Sequence, residues 1–286
     1  PDTEGARSFN EVSLVNLETL THTPMVVGFN PRDVQFSDDG ERAVVVSDAW
    51  LAVVDLTSSD LDPDRIQISE DTTDPPEAEE VVLTPDGHYA LVRQFGVSDL
   101  VLVDLDSGLL DSVAVGDNPT DIDVTPDGEQ AIAVARGSSE LWIYDLADPT
   151  SEPDVIPMPT EEVFGSLVLS PSGDTGILYS TATGAARYGS WDRNEENPLK
   201  AVTTRALVKP ISKVEISPDG STAVFFHPQE NGEEVDTDSF FYNQYALTMI
   251  DLSDFFANPL RLVAEPIAYD HTEDGQTGFV VLEGQP

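Results

Sequence analysis

Asp33, Glu80 and Asp121 occupy one and the same place in a repeated unit, each seven residues before a glycine: Gly40, Gly87 and Gly128. Carboxylates that recur in this way converge only if the units are arranged round a common axis. At the mouth of such an axis they would offer oxygen ligands suited to Ca²⁺. The same acids also read as a hydrated mouth with no fixed ion, or as carboxylates satisfied by backbone donors. The equivalent residues of the later units are Ser166, Lys213 and Ala268. Asp48, Arg93, Arg136 and His227 fall in the loops expected on the same face. An arginine there pairs with the acids or receives an anionic ligand. Pairing is the expectation in a chain with 13 basic residues against 54 acidic ones. No residue is assigned a catalytic role. The chain has no Gly-x-Ser-x-Gly, no phosphate-cradling glycine loop, no His-Glu-x-x-His and no EF-hand loop. Its four histidines, His22, His88, His227 and His271, lack ligand spacing.

Positioning these residues falls to a phrase that recurs six times: Ser or Thr, one residue, Asp (once Ser), Gly. It spans Ser37–Gly40, Thr84–Gly87, Thr125–Gly128, Ser170–Gly173, Ser217–Gly220 and Thr272–Gly275. Proline or another residue, then Asp, then Gly is turn chemistry, so the recurring Asp is read as structural. Three residues beyond the glycine stands a small residue (Ala43, Ala90, Ala131, Gly176, Ala223, Gly278), as expected for close packing near a crowded axis. An apolar-Asp-Leu phrase then ends a third strand at Asp55, Asp104, Asp145 and Asp251. Units of about 40–50 residues with four short strands predict an all-β chain, a β-propeller of four-stranded blades. Residues 10–28 read as a third and fourth strand, and 266–282 as a first and second. The N- and C-terminal strands would then share one blade, giving six blades, with seven as the alternative. Residues 1–286 are read as a single propeller domain.

The stretch Val115-Gly116-Asp117-Asn118-Pro119, followed by Thr125-Pro126-Asp127-Gly128, resembles the YVTN-type propeller repeats, and Val27–Gly40 nearly copies it. The resemblance runs over nearly the whole chain. It implies the propeller fold and relatives among surface or periplasmic proteins and lactonase-like propellers. The lactonase-like members typically carry histidines in the phrase leading into a blade. The corresponding Gly28–Pro31 and Gly116–Pro119 contain none.

The net charge of −41 repels nucleic acid and anionic membrane surfaces and favours cations or cationic partners. A surface adapted to salt is the other reading of the same charge. There is no apolar run long enough for a transmembrane segment. The absence of cysteine removes disulfides and thiolate sites and leaves the compartment open. The chain opens on Pro1 rather than Met, which reads as a processed piece of an exported protein, at the cell surface, extracellular or periplasmic. Six of the 13 basic residues lie between 187 and 213, with Tyr188 and Trp191 among them. Arg187, Tyr188, Trp191 and Arg193, with the insertion at 228–240, are therefore the expected contact surface for a protein partner or a second copy. The function expected is a non-enzymatic binding or scaffold module, with a lactonase-like hydrolase as the alternative. The expected cofactor is none, or Ca²⁺ held by Asp33, Glu80 and Asp121.

Overall fold

All six glycines of the repeated phrase adopt left-handed backbone, with φ between +68° and +73°. Only glycine reaches that region without steric cost, which is why the phrase always ends on it. The computed structural model describes residues 10–148, 151–159, 163–182, 185–231 and 237–284. The turn Asp is structural. Its carboxylate accepts from the hydroxyl two residues earlier at 2.6 Å in the pairs Ser37–Asp39, Thr84–Asp86, Thr125–Asp127, Ser217–Asp219 and Thr272–Asp274. These bonds hold Asp39, Asp86, Asp219 and Asp274 below the usual carboxylate range. Successive turns also stack. A Cβ on Gly173 would stand 2.9 Å from Pro126 Cδ, whereas one on Gly40 would meet nothing within 4 Å.

On either side of each turn the chain is extended, and among the described residues there are 24 strands and no helix. Five sheets are complete, each four-stranded and antiparallel with strands in chain order. The first is β3–β6 (Pro31–Phe36, Arg42–Ser47, Trp50–Asp55, Asp64–Gln67) and the second β7–β10 (Ala78–Leu83, Tyr89–Gln94, Asp99–Asp104, Leu110–Ala114). The third is β11–β14 (Pro119–Val124, Gln130–Ala135, Glu140–Asp145, Asp154–Pro157). The fourth is β15–β18 (Ser166–Leu169, Thr175–Tyr179, Arg187–Asp192, Val202–Ala206), and the fifth β19–β22 (Lys213–Ile216, Thr222–His227, Ala246–Asp251, Ala257–Arg261). Two further pairs, β1–β2 (Glu11–Asn16, Thr21–Val26) and β23–β24 (Pro266–His271, Gly278–Leu282), supply the terminal half-blades expected from the sequence. Each forms its own two-stranded sheet.

Second strands are near-continuous apolar runs because both of their faces are covered. All but the first residue of β4, β12 and β20 are buried. The small residue three beyond the glycine faces a large one within the sheet. Ala43, Ala90, Gly176 and Ala223 lie directly opposite Val54, Val103, Trp191 and Ile250 of the third strand. Every third strand ends on an acid or amide that caps the next turn. Asp55, Asp104, Asp145 and Asp251 accept from the backbone N–H two residues on, as does Asn16. Asp192 does the same in the fourth sheet, where the apolar-Asp-Leu phrase is missing.

The chain divides into two compact units. One comprises the described residues within 1–124, 128–133 and 144–153, and the other those within 125–127, 134–143 and 154–286. In the first, Val12, Leu14 and Met25 of β1–β2 pack on Ala43, Val45, Ala52 and Val54. In the second, Tyr269 and Val280 of β23–β24 pack on Val224, Phe226 and Leu247. Of the insertion at 228–240, residues 232–236 lie outside the described residues.

Candidate functional site

The residues seven before each glycine all fall on first strands. A register shift immediately precedes three of them, Asp33, Glu80 and Ala268. A bulge of this kind re-aims the side chain that follows it. The first strands β3 and β7 are neighbours, as are β7 and β11, so acids on them can meet.

Glu80 and Asp121 do meet. Glu80 lies directly across the sheet from Arg93, whose Nε donates to Glu80 Oε2 at 3.0 Å. The same guanidinium also donates to Glu79. Burial raises the Glu80 pKa. The charge of Arg93 and hydrogen bonds from Arg93, Asp121 and the Ile122 N–H oppose the rise. Asp123, two residues along β11, completes the cluster. Burial, then the charge of Glu80, pushes it up to about 7. Its Oδ2 is buried with no hydrogen-bond partner. In the first unit Arg93 thus pairs with Glu79 and Glu80, and Glu80 in turn links to Asp121 and Asp123.

Asp33 serves its own strand: Oδ1 accepts from the Val34 N–H at 2.8 Å and Oδ2 from Gln35 Nε2 at 3.2 Å. Asp33 is thus engaged within β3, apart from the contact between Glu80 and Asp121. Among the described residues no group of three His, Asp or Glu is arranged to hold a metal ion. Asp48 is likewise satisfied, accepting from Asn30 Nδ2 and Arg32 Nε, each at 2.9 Å. Arg32 also pairs with Glu77.

In the second unit Arg136 stands just past β12, half-buried. His227, expected at a mouth, is instead a core residue, 1% exposed. Its Nδ1 donates to Pro210 O at 2.7 Å, so Nε2 accepts from the Thr248 hydroxyl at 2.7 Å. Burial lowers its pKa to about 4, leaving a neutral imidazole with both nitrogens engaged.

The expected partner surface requires a larger correction. Tyr188 and Trp191 are each 1% exposed and belong to the core, so they cannot anchor a contact. Arg193 binds Asp127 at 2.7 Å, and Arg187 is exposed. The basic run is dispersed in the same way. Arg205 reaches Ser190 Oγ and lies over the Phe255 ring, and Lys213 pairs with Glu215. Lys209 is 2% exposed, its Nζ donating to the carbonyls of Gln229, Phe241 and Gln244. It ties down the ends of the insertion rather than offering charge to a partner.

Asp123 and Glu79 were missed from the sequence. For Asp123 the signal was present: Asp121-Ile122-Asp123 alternates, which puts both acids on one face and Ile122, 2% exposed, on the other.

Asp123 makes stability pH-dependent. Between about pH 4 and pH 7 the folded chain keeps a proton on this group that the unfolded chain has lost, so stability falls as pH rises through that window. Asp123→Asn is expected to flatten this slope and raise the melting temperature at pH 8 by a few degrees, roughly the effect of 1 kcal/mol or somewhat more. Thermal melts of both proteins at pH 5 and pH 8 measure it. An unchanged difference between the two pH values would contradict the assignment.

No family model and no curated protein sequence matches the chain. Solved structures do. Dihydro-heme d1 dehydrogenase NirN is similar at a TM-score of 0.70 and 19% identity over 96% of this chain, which spans 57% of NirN's length. Hydrazine synthase of Kuenenia stuttgartiensis is similar at 0.61 and 17%, over 87% of this chain and 73% of that one. The β-propeller domain of Cps50 (Swd1) from Myceliophteria thermophila is similar at 0.59 and 13%, over 92% of this chain and 86% of that one. At these identities the likeness shows the fold, a β-propeller. Function has to be argued from the site, since this fold carries many unrelated activities.

Proposed function

We propose that this chain is an exported, acidic propeller of YVTN-type repeats that acts as a non-enzymatic binding module at a cell surface or in a larger assembly. It takes a cationic side chain of a protein partner, lysine or arginine, at the acid cluster of the first unit. One observation carries the reading: Arg93 pairs with Glu79 and Glu80, Glu80 also meets Asp121 and acts on Asp123, and a buried oxygen of Asp123 has no partner. Burial, and then the charge of Glu80, keeps Asp123 protonated up to about pH 7, and an added cation would oppose both. The overall charge of −41 would steer such a partner inward.

Calorimetric titration with a decapeptide of alternating lysine and glycine tests this. Binding is expected to weaken at least about fivefold in Glu79→Gln/Asp121→Asn, a loss of roughly 1 kcal/mol, while the exposed control Asp62→Asn binds as the parent does. Equal binding by all three proteins would leave only a diffuse charge effect and end the proposal. Turnover of a simple lactone, abolished in Arg136→Ala or Asp121→Asn, would replace it with the hydrolase reading.

A further inference from the structure

We propose that a cavity of about 260 Å³ in the second unit, between the fifth sheet and the β23–β24 pair, binds an organic ammonium ion carrying an apolar group. Its walls include three aromatic rings, Phe226, Tyr245 and Tyr269, with Pro266 and Ile267 beside them. A second cavity of about 320 Å³ shares Tyr245 and Glu265 as its wall. Each is close to the lower end of the range for small-molecule sites, about 300 Å³.

Charge selects the ligand class. Glu230 and Glu265 line the first cavity and Glu265 and Glu283 the second. The Tyr245 hydroxyl donates to Glu265 Oε2 at 3.3 Å. Burial, and then the charges of Glu265, Glu230 and Glu283, hold this phenol above its ordinary pKa, which places three carboxylates around one aromatic ring. Among the described residues the one cation lining either cavity is Lys213, and Glu215 already pairs with it. An anion entering here would meet uncompensated carboxylates. An ammonium would be drawn to them and to the ring faces, where a desolvated cation gains about 2 kcal/mol. The aromatic and proline walls favour an apolar substituent over a bare inorganic ion. None of these residues belongs to the acid cluster of the first unit, so the two proposals stand or fall separately.

Benzyltrimethylammonium is the probe, titrated by calorimetry and by ligand-observed NMR. Binding is expected with a Kd on the order of 1 mM or tighter. Tyr245→Leu and Glu265→Gln should each weaken it about tenfold. Glu265 is exposed, so Glu265→Gln should leave the melting temperature unchanged and keep the test valid if Tyr245→Leu fails to fold. Asp62→Asn should bind as the parent does. The proposal is overturned by absence of binding at 20 mM probe, a concentration about twentyfold above the expected Kd. It is also overturned if benzoate or benzyl alcohol binds as well, if Glu265→Gln has no effect, or if Asp62→Asn weakens binding equally.

Discussion

Trp191→Ala is expected to remove about 3–5 kcal/mol of stability, a drop in melting temperature of roughly 10 °C, and to leave any self-association unchanged. Trp191 is among the largest fully buried side chains, and its ring fills space left by Gly176. A Cβ on Gly176, directly across the sheet, would come within 3.3 Å of Trp191 Cε3. One on Gly189 would meet Phe164, Leu178 and Val202 at 3.1–3.2 Å. Truncating the indole leaves a cavity that neighbouring strands cannot close without breaking their ladders. The indole Nε1 is buried with no hydrogen-bond partner. Trp191→Phe therefore loses no bond and should cost far less, about 1.5 kcal/mol or under. Thermal and denaturant melts of both variants give the comparison. A Trp191→Ala protein that melts like the parent but fails to associate would return this residue to the surface role its sequence context suggested.

Lys209→Met is the second large effect, with an expected loss of about 3 kcal/mol and a loosened insertion. The ammonium sits among three backbone carbonyls, at 2.9 Å from Gln229 O, 3.3 Å from Phe241 O and 2.6 Å from Gln244 O. Burial pulls the lysine pKa down, and the charge of Glu230 acts in the other direction. Methionine matches the length of the stem but leaves all three oxygens without their donor. Unmet buried acceptors cost about 1–3 kcal/mol each, less where water reaches them. Hydrogen exchange across residues 237–245, read together with the melting curve, tests the point. Exchange as slow as in the parent would show that the insertion is held by other contacts.

Strand number and turn position were legible in the sequence because each is decided by neighbours in the chain. Ser37, Asp39 and Gly40 make their turn from bonds spanning two to five residues, and so do the five other copies. Apolar runs such as Ala43–Val46 and Ala223–Phe226 marked second strands, since burial on both faces leaves little room for polar residues. The terminal half-blades were legible on the same ground. So was the pairing of Arg93 with acids, on the scarcity of cations.

Side-chain destinations in the fourth sheet were not legible. Arg187-Tyr188-Gly189-Ser190-Trp191-Asp192 reads as an exposed basic and aromatic patch. The indole has room inside because Gly176 stands opposite it, an exchange of small for large that spans two strands, and Tyr188 packs on Phe225 of the next sheet. Lys209 and His227 went the same way, their partners lying 17 to 35 residues off in the chain. The acid cluster shows the division most clearly. Alternation alone places Asp121 and Asp123 on one face of β11. Only the lateral packing of β7 against β11 brings Glu80 and Arg93 to them, and only burial in that packing moves Asp123 into the neutral range. Local hydrogen bonds and period-two patterning are properties of the chain by itself. Which charges meet, and how dry the place is where they meet, depends on contacts between blades, and those exist only once the sheets have packed.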